Sequence, residues 1–131
     1  MGDTILIVDD SEDIALISAR MLGQRGFAVI TASDGAEALA LVGRQRPNCI
    51  LLDVMMPRMS GIEVLQALKA DPSTSSIPVI MVTAKTTDDD VLSGYQQGAD
   101  YYITKPFTAD ELVYGVNLVL GHQPSQARPP S

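Results

Sequence analysis

The chain has 131 residues, 46% of them hydrophobic, with 16 Asp and Glu against 9 Lys and Arg, giving a formal net charge of −7. That length is close to the commonest size of one domain and buries about two-thirds of the unfolded surface, so a core forms without a disulfide or structural metal. The acidic balance argues against nucleic-acid binding by this domain, which requires a basic face, and the single cysteine excludes an intramolecular disulfide or a Cys-based zinc site.

Taken in chain order, the apolar pattern alternates between two types. Residues 5–8 read as a strand with both faces covered. Ile14, Ile17, Met21 and Leu22 fall at helical spacing within 12–25, and Gly26 stops that helix. Residues 27–31 read as a second strand, Asp34-Gly35 as a turn, and 36–42 as a helix with Ala38, Leu39 and Val42 on one stripe. Pro47 bars helix continuation into a third strand at 49–52, where Cys49 reads as a small core residue. Ser60-Gly61 opens a helix carrying Ile62, Leu65 and Leu68, and 71–76 is a polar loop before a fourth strand at 79–82. Thr87 followed by three aspartates predicts a fourth helix running to about Gln97, with Gly98 ending it. Residues 101–104 form the fifth strand, and Thr108 with Glu111 makes a capping box for a last helix through about Leu120.

Five strand–helix repeats predict a parallel α/β sheet with helices on both faces and right-handed crossovers. The domain is expected over residues 1–121, with 122–131 a disordered tail or the start of a linker, since it is polar and carries Pro124, Pro129 and Pro130. His122 lies in that tail and is given no catalytic role. No apolar run approaches the ~18 residues of a membrane span. Asp3, Asp9 and Asp10 interrupt any signal peptide, and Leu6 stands where a myristoylation signal has Ser or Thr. A cytoplasmic setting is expected.

In an open parallel sheet, ligands bind beyond the carboxyl ends of the strands. Those ends here carry Asp9-Asp10, Asp53, Thr83 and Lys105. An isolated aspartate after a strand is often a helix N-cap, but two adjacent acids facing a third are different. Like charges ~4 Å apart repel by about 4 kcal/mol at an effective dielectric of 20, so the cluster calls for a cation. A few hard oxygen ligands with room for water and phosphate suit Mg²⁺. Asp53, ending a strand of Ile and Leu where a carboxylate has no packing role, is the candidate nucleophile.

The segments 7–11, 52–61, 82–84 and 98–107, each in order and at a strand end, make the chain resemble the receiver domain of bacterial two-component response regulators, the flavodoxin-like fold with strand order 2-1-3-4-5. The resemblance runs over about residues 3–120. It implies that Asp53 accepts a phosphoryl group from a histidine kinase or a histidine phosphotransfer protein. Asp10, Asp53 and the Met55 carbonyl would bind Mg²⁺ directly, with Asp9 acting through water. Lys105 and Thr83 would contact the phosphoryl oxygens, and the bond between Lys105 and Pro106 would be cis. Tyr102 matches the aromatic that turns inward on phosphorylation, whereas Tyr101 points to the other face. The face made by the fourth helix, fifth strand and last helix would then report the added charge to an output protein or a C-terminal effector domain.

The resemblance also makes Met55 and Lys85 tuners of phosphate lifetime. Met55, being apolar, cannot hold an attacking water, so slow self-dephosphorylation is expected. The protein is read as catalysing only its own modification, not as a turnover enzyme. A homodimer through the reporting face stays open, though Val113, Tyr114, Val116 and Asn117 do not supply a charged interface. Two other classes share part of this pattern. An Mg²⁺ phosphohydrolase with an Asp nucleophile usually has a second acid two residues on, where Met55 stands. A flavin binder wants a Ser/Thr/Gly-rich phosphate loop where Asp9-Asp10 stand, and a phosphate-independent interaction domain is the remaining alternative.

Overall fold

The computed structural model describes residues 3–83 and 98–121. Within them run β1 (Thr4–Val8), α1 (Glu12–Gly23), β2 (Ala28–Ala32), α2 (Gly35–Arg44), β3 (Cys49–Asp53), α3 (Gly61–Ala70), β4 (Val79–Thr83), β5 (Tyr101–Thr104) and α4 (Ala109–Leu120). The helix expected over 88–97 and the tail after 121 lie outside the described residues, as does Lys85.

The five strands are parallel in the order β2-β1-β3-β4-β5, as expected. Every residue of β3 and β4 is buried, which is why these runs are continuously apolar instead of alternating. Successive residues serve opposite faces. Leu6, Val8, Ile50, Leu52 and Met81 join Ala38, Val42, Val64, Leu65 and Leu68 in the layer beneath α2 and α3. Ile5, Ile7, Leu51, Ile80, Val82 and Ile103 join Ala15, Leu22, Leu112 and Val116 in the layer beneath α1 and α4. The two layers together exclude water from both sides of the sheet, the main stabilising term of the fold.

Boundaries differ from the sequence expectation by small amounts. Helix α1 ends at Gly23, not 25, because Gly26 takes φ +93° and the Phe27 N–H turns back to Leu22 O at 3.1 Å. Strand β2 is shifted one residue on, to Ala28–Ala32, set by its register with Thr4–Val8. Asp34-Gly35, read as a turn, is the N-cap and first residue of α2, with the Asp34 carboxylate accepting from Glu37 N at 2.8 Å. Capping boxes hold the starts of α3 (Ser60 and Glu63) and α4 (Thr108 and Glu111).

Candidate functional site

Strand direction brings the reactive side chains to one edge. Asp9 follows β1, its amide donating to Ala32 O at 3.1 Å. Asp53 is the last residue of β3, and Thr83 the last of β4, paired in register with Thr104. Lys105 follows β5, its amide bonded to Thr83 O at 2.7 Å, and the Lys105–Pro106 peptide is cis.

The N-cap of α1 is Ser11, whose hydroxyl accepts from Ile14 N. The helix therefore does not need Asp9 or Asp10 as its cap. Asp9 instead accepts from Ser11 N at 2.9 Å and turns its other oxygen to Lys105. Asp9, Asp10 and Asp53 each offer a carboxylate oxygen, and these oxygens lie within 4.8 Å of one another. Asp9 and Asp53 are buried, Asp10 exposed. Two buried acids and one at the mouth, all hard oxygen donors, fit a small divalent cation that keeps part of its water shell.

The Lys105 ammonium lies 3.0 Å from Asp9 Oδ2 and 3.5 Å from Asp53 Oδ1. Burial of Asp53, reinforced by the Asp9 charge, pushes its pKa up to about 6, against the pull of Lys105 and of the Met55 amide, which donates to Asp53 Oδ1 at 3.3 Å. Burial disfavours the ammonium of Lys105, but its hydrogen bond to Asp9 and its attraction to Asp53 outweigh that, and its pKa is raised. One ammonium thus partly neutralises two carboxylates, leaving excess negative charge at the site.

Thr83 is buried at 4% exposure, and the Met55 side chain stands out into solvent at 73%. Tyr102 packs on the α2/α3 layer and Tyr101 on the α1/α4 layer, the alternation expected of a strand. Of the expected site residues, Asp9, Asp10, Asp53 and Lys105 meet directly. Thr83 is joined to Lys105 through its carbonyl and Met55 to Asp53 through its amide, while Tyr102 lies on β5 in register with Met81. Sequence reading missed the backbone seat of Gly61 under Asp53. Its signal was a glycine at the first turn of a helix, where glycine has no propensity advantage.

The chain matches the response regulator receiver domain family over residues 5–117 and belongs to that family. It is 44% identical over 120 residues to the phosphate regulon transcriptional regulatory protein PhoB of Pseudomonas aeruginosa, covering 92% of this chain and 52% of that protein. It is also 44% identical over 113 residues to the DNA-binding response regulator MtrA of Mycobacterium leprae, covering 86% of this chain and 49% of that protein. The chain spans about half the length of the curated relatives it matches. Among solved structures, the chemotaxis protein CheY4 of Vibrio cholerae superposes with TM-score 0.86 at 33% identity, covering 91% of this chain and 99% of that one. A putative response regulator from Chloroflexus aurantiacus gives TM-score 0.89 at 32% identity, over 93% of this chain and all of that one. The chain is therefore a signalling domain of two-component systems. No described helix is long and apolar enough to cross a membrane.

Proposed function

We propose that Asp53 is the phosphoacceptor of this receiver and that Asp9, Asp10, Asp53 and the Met55 carbonyl hold Mg²⁺. The observation carrying this is the convergence of three carboxylates with the Lys105 ammonium at the carboxyl edge of the sheet. A carboxylate oxygen of Asp53 attacks the phosphorus of a phosphohistidine on a kinase or phosphotransfer protein. The P–N bond breaks, a P–O bond forms, and the imidazole leaves with a proton. Bound Mg²⁺ supplies charge neutralisation at the phosphoryl oxygens. The Lys105 ammonium, already beside Asp9 and Asp53, and the hydroxyl of Thr83 at the end of the neighbouring strand would stabilise the phosphoryl oxygens.

The new charge biases the β5–α4 face, with Tyr102 as the moving aromatic. Residues 1–121 are the switching unit, and 122–131 are a disordered tail or the start of a linker. The reader is an output protein or a C-terminal effector domain; relatives about twice this length are named transcriptional or DNA-binding regulators. The reading carries a cytoplasmic setting, a domain that turns over no small-molecule substrate, and slow loss of the phosphoryl group tuned by Met55 and Lys85.

The test is intact mass after exposure to Mg²⁺ and acetyl phosphate, on wild type and Asp53→Asn. A gain of one phosphoryl group in wild type alone supports the reading. No gain in a folded, Mg²⁺-saturated wild type sinks it and favours a phosphate-independent interaction domain.

A further inference from the structure

Helix α3 begins directly on the main chain of Asp53. A Cβ built on Gly61 would lie 2.2 Å from the Asp53 carbonyl oxygen, 2.8 Å from Val54 Cα and 2.9 Å from the Asp53 carbonyl carbon. All three obstacles are backbone, so none can swing aside as a side chain would. The Gly61 amide donates to Val54 O at 3.0 Å, closing the loop of residues 54–60 onto its own start. Ser60 and Glu63 hold the helix start in place through reciprocal bonds of 3.3 and 3.1 Å. At the other side of the loop, Met59 lies over Gly35, its Sδ 2.7 Å from where a Cβ would stand. That obstacle is a flexible side chain.

We propose that Gly61 is a positioning residue for phosphoryl acceptance, its missing side chain letting α3 seat the backbone that aims Asp53. The proposal rests on the reading of Asp53 as acceptor and metal ligand. The magnitudes favour a positional effect. Relieving a 2.2 Å contact to ordinary van der Waals separation needs a backbone shift on the order of 1 Å. Metal–ligand distances tolerate only about 0.2 Å, and Mg²⁺ demands near-octahedral geometry. The same shift displaces both the Asp53 carboxylate and the Met55 carbonyl, because both lie on the segment that Gly61 touches. Gly35 makes a contrast, since methyl addition there meets only the end of Met59 and Val64 Cγ2.

The experiment compares wild type with Gly61→Ala, Ser60→Ala and Val42→Ala. Val42 is a buried residue of α2 at 3% exposure and is not among the atoms nearest Gly61, so its truncation lowers stability without adding a contact there. Mg²⁺ affinity is read by calorimetry, fold by circular dichroism, and backbone protection at residues 53–56 by hydrogen exchange. Gly61→Ala should weaken Mg²⁺ binding at least ~10-fold while keeping a native spectrum, and should lose protection at 53–56. Ser60→Ala, which loosens the helix start without a clash, should weaken Mg²⁺ about 2- to 5-fold. Val42→Ala should melt earlier yet bind Mg²⁺ as wild type does.

A folded Gly61→Ala with wild-type Mg²⁺ affinity overturns the proposal. If Gly61→Ala does not fold, Ser60→Ala decides, and a wild-type affinity there overturns it equally. A wild type that neither binds Mg²⁺ nor gains mass sinks the acceptor reading and this inference with it. A wild type that does both beside an equally competent Gly61→Ala sinks this inference alone.

Discussion

Asp53 and Lys105 meet at 3.5 Å although β4 lies between the strands that deliver them. The contact forms because Lys105 continues past the end of β5 and reaches back over the sheet edge, its amide anchored on Thr83 of the intervening strand. The ammonium lies within ion-pair distance of both Asp53 and Asp9, and among the described residues it is the cation that lets two buried carboxylates coexist in the metal-free protein.

Asp53 should destabilise the metal-free fold at neutral pH. Its pKa rises from 3.8 to about 6 on folding. Between those values the folded state holds more protons than the unfolded state, so stability falls as pH rises through the window. Asp53→Asn should therefore gain roughly 1–2 kcal/mol at pH 7.5, and the gain should fade below about pH 4. Urea melts of both proteins at the two pH values check this. An equal gain at both would assign the effect to packing instead of charge.

Removing Lys105 should separate metal binding from chemistry. In Lys105→Met the ammonium no longer competes for Asp9 and Asp53, so Mg²⁺ should bind several-fold more tightly. The loss of a phosphoryl-facing charge should slow phosphorylation by acetyl phosphate on the order of 10²-fold. Calorimetric titration and time-resolved intact mass measure the two effects. Weaker Mg²⁺ binding in the variant would show that Lys105 orders the carboxylates more than it competes with the ion.

Arg58 holds φ +68° in the loop after the acceptor, a left-handed conformation that costs a residue with a Cβ. Its contact with Asp34 is 3.9 Å long and its side chain is 82% exposed, so little is lost with it. Arg58→Asn or Arg58→Gly should stabilise by ~0.5–1 kcal/mol, measured as a raised Tm. A lowered Tm would mean that the Arg58–Asp34 contact outweighs the backbone strain.

Cys49 should be silent to thiol reagents in the native protein. Burial, with the Asp100 charge adding to it, pushes its thiol up to about 12, so almost no thiolate exists at pH 8. Labelling by a disulfide reagent should appear only with unfolding in urea and should track the circular dichroism transition. Fast labelling of the folded protein would place Cys49 at a mobile surface instead of in β3.

Much of this molecule was legible in the chain. Apolar runs ending in Asp9, Asp53, Thr83 and Lys105 specify parallel strands and the residues at their ends, because a strand covered on both faces has to be continuously apolar. The capping box at Thr108 was readable because it depends on residues three apart. Ser11 as the cap of α1 was not, since Asp9, Asp10 and Ser11 are all suitable caps and only the buried site decides which two are needed elsewhere. The seat of Gly61 on Asp53 showed in the chain only as a glycine at a helix start, because the close approach itself depends on the angle at which α3 leaves the loop.

The order of elements, the edge of the sheet that carries the chemistry, and the types of group found there are all written in the chain. The packing of distant segments is what sets one ammonium against both Asp9 and Asp53, pushes the Asp53 pKa up to about 6 by burial, and rests helix α3 on the Asp53 backbone. The physical reason is range. Periodicity and capping act over a few residues, whereas charge neutralisation, burial and close backbone approach depend on distances between segments far apart in the chain.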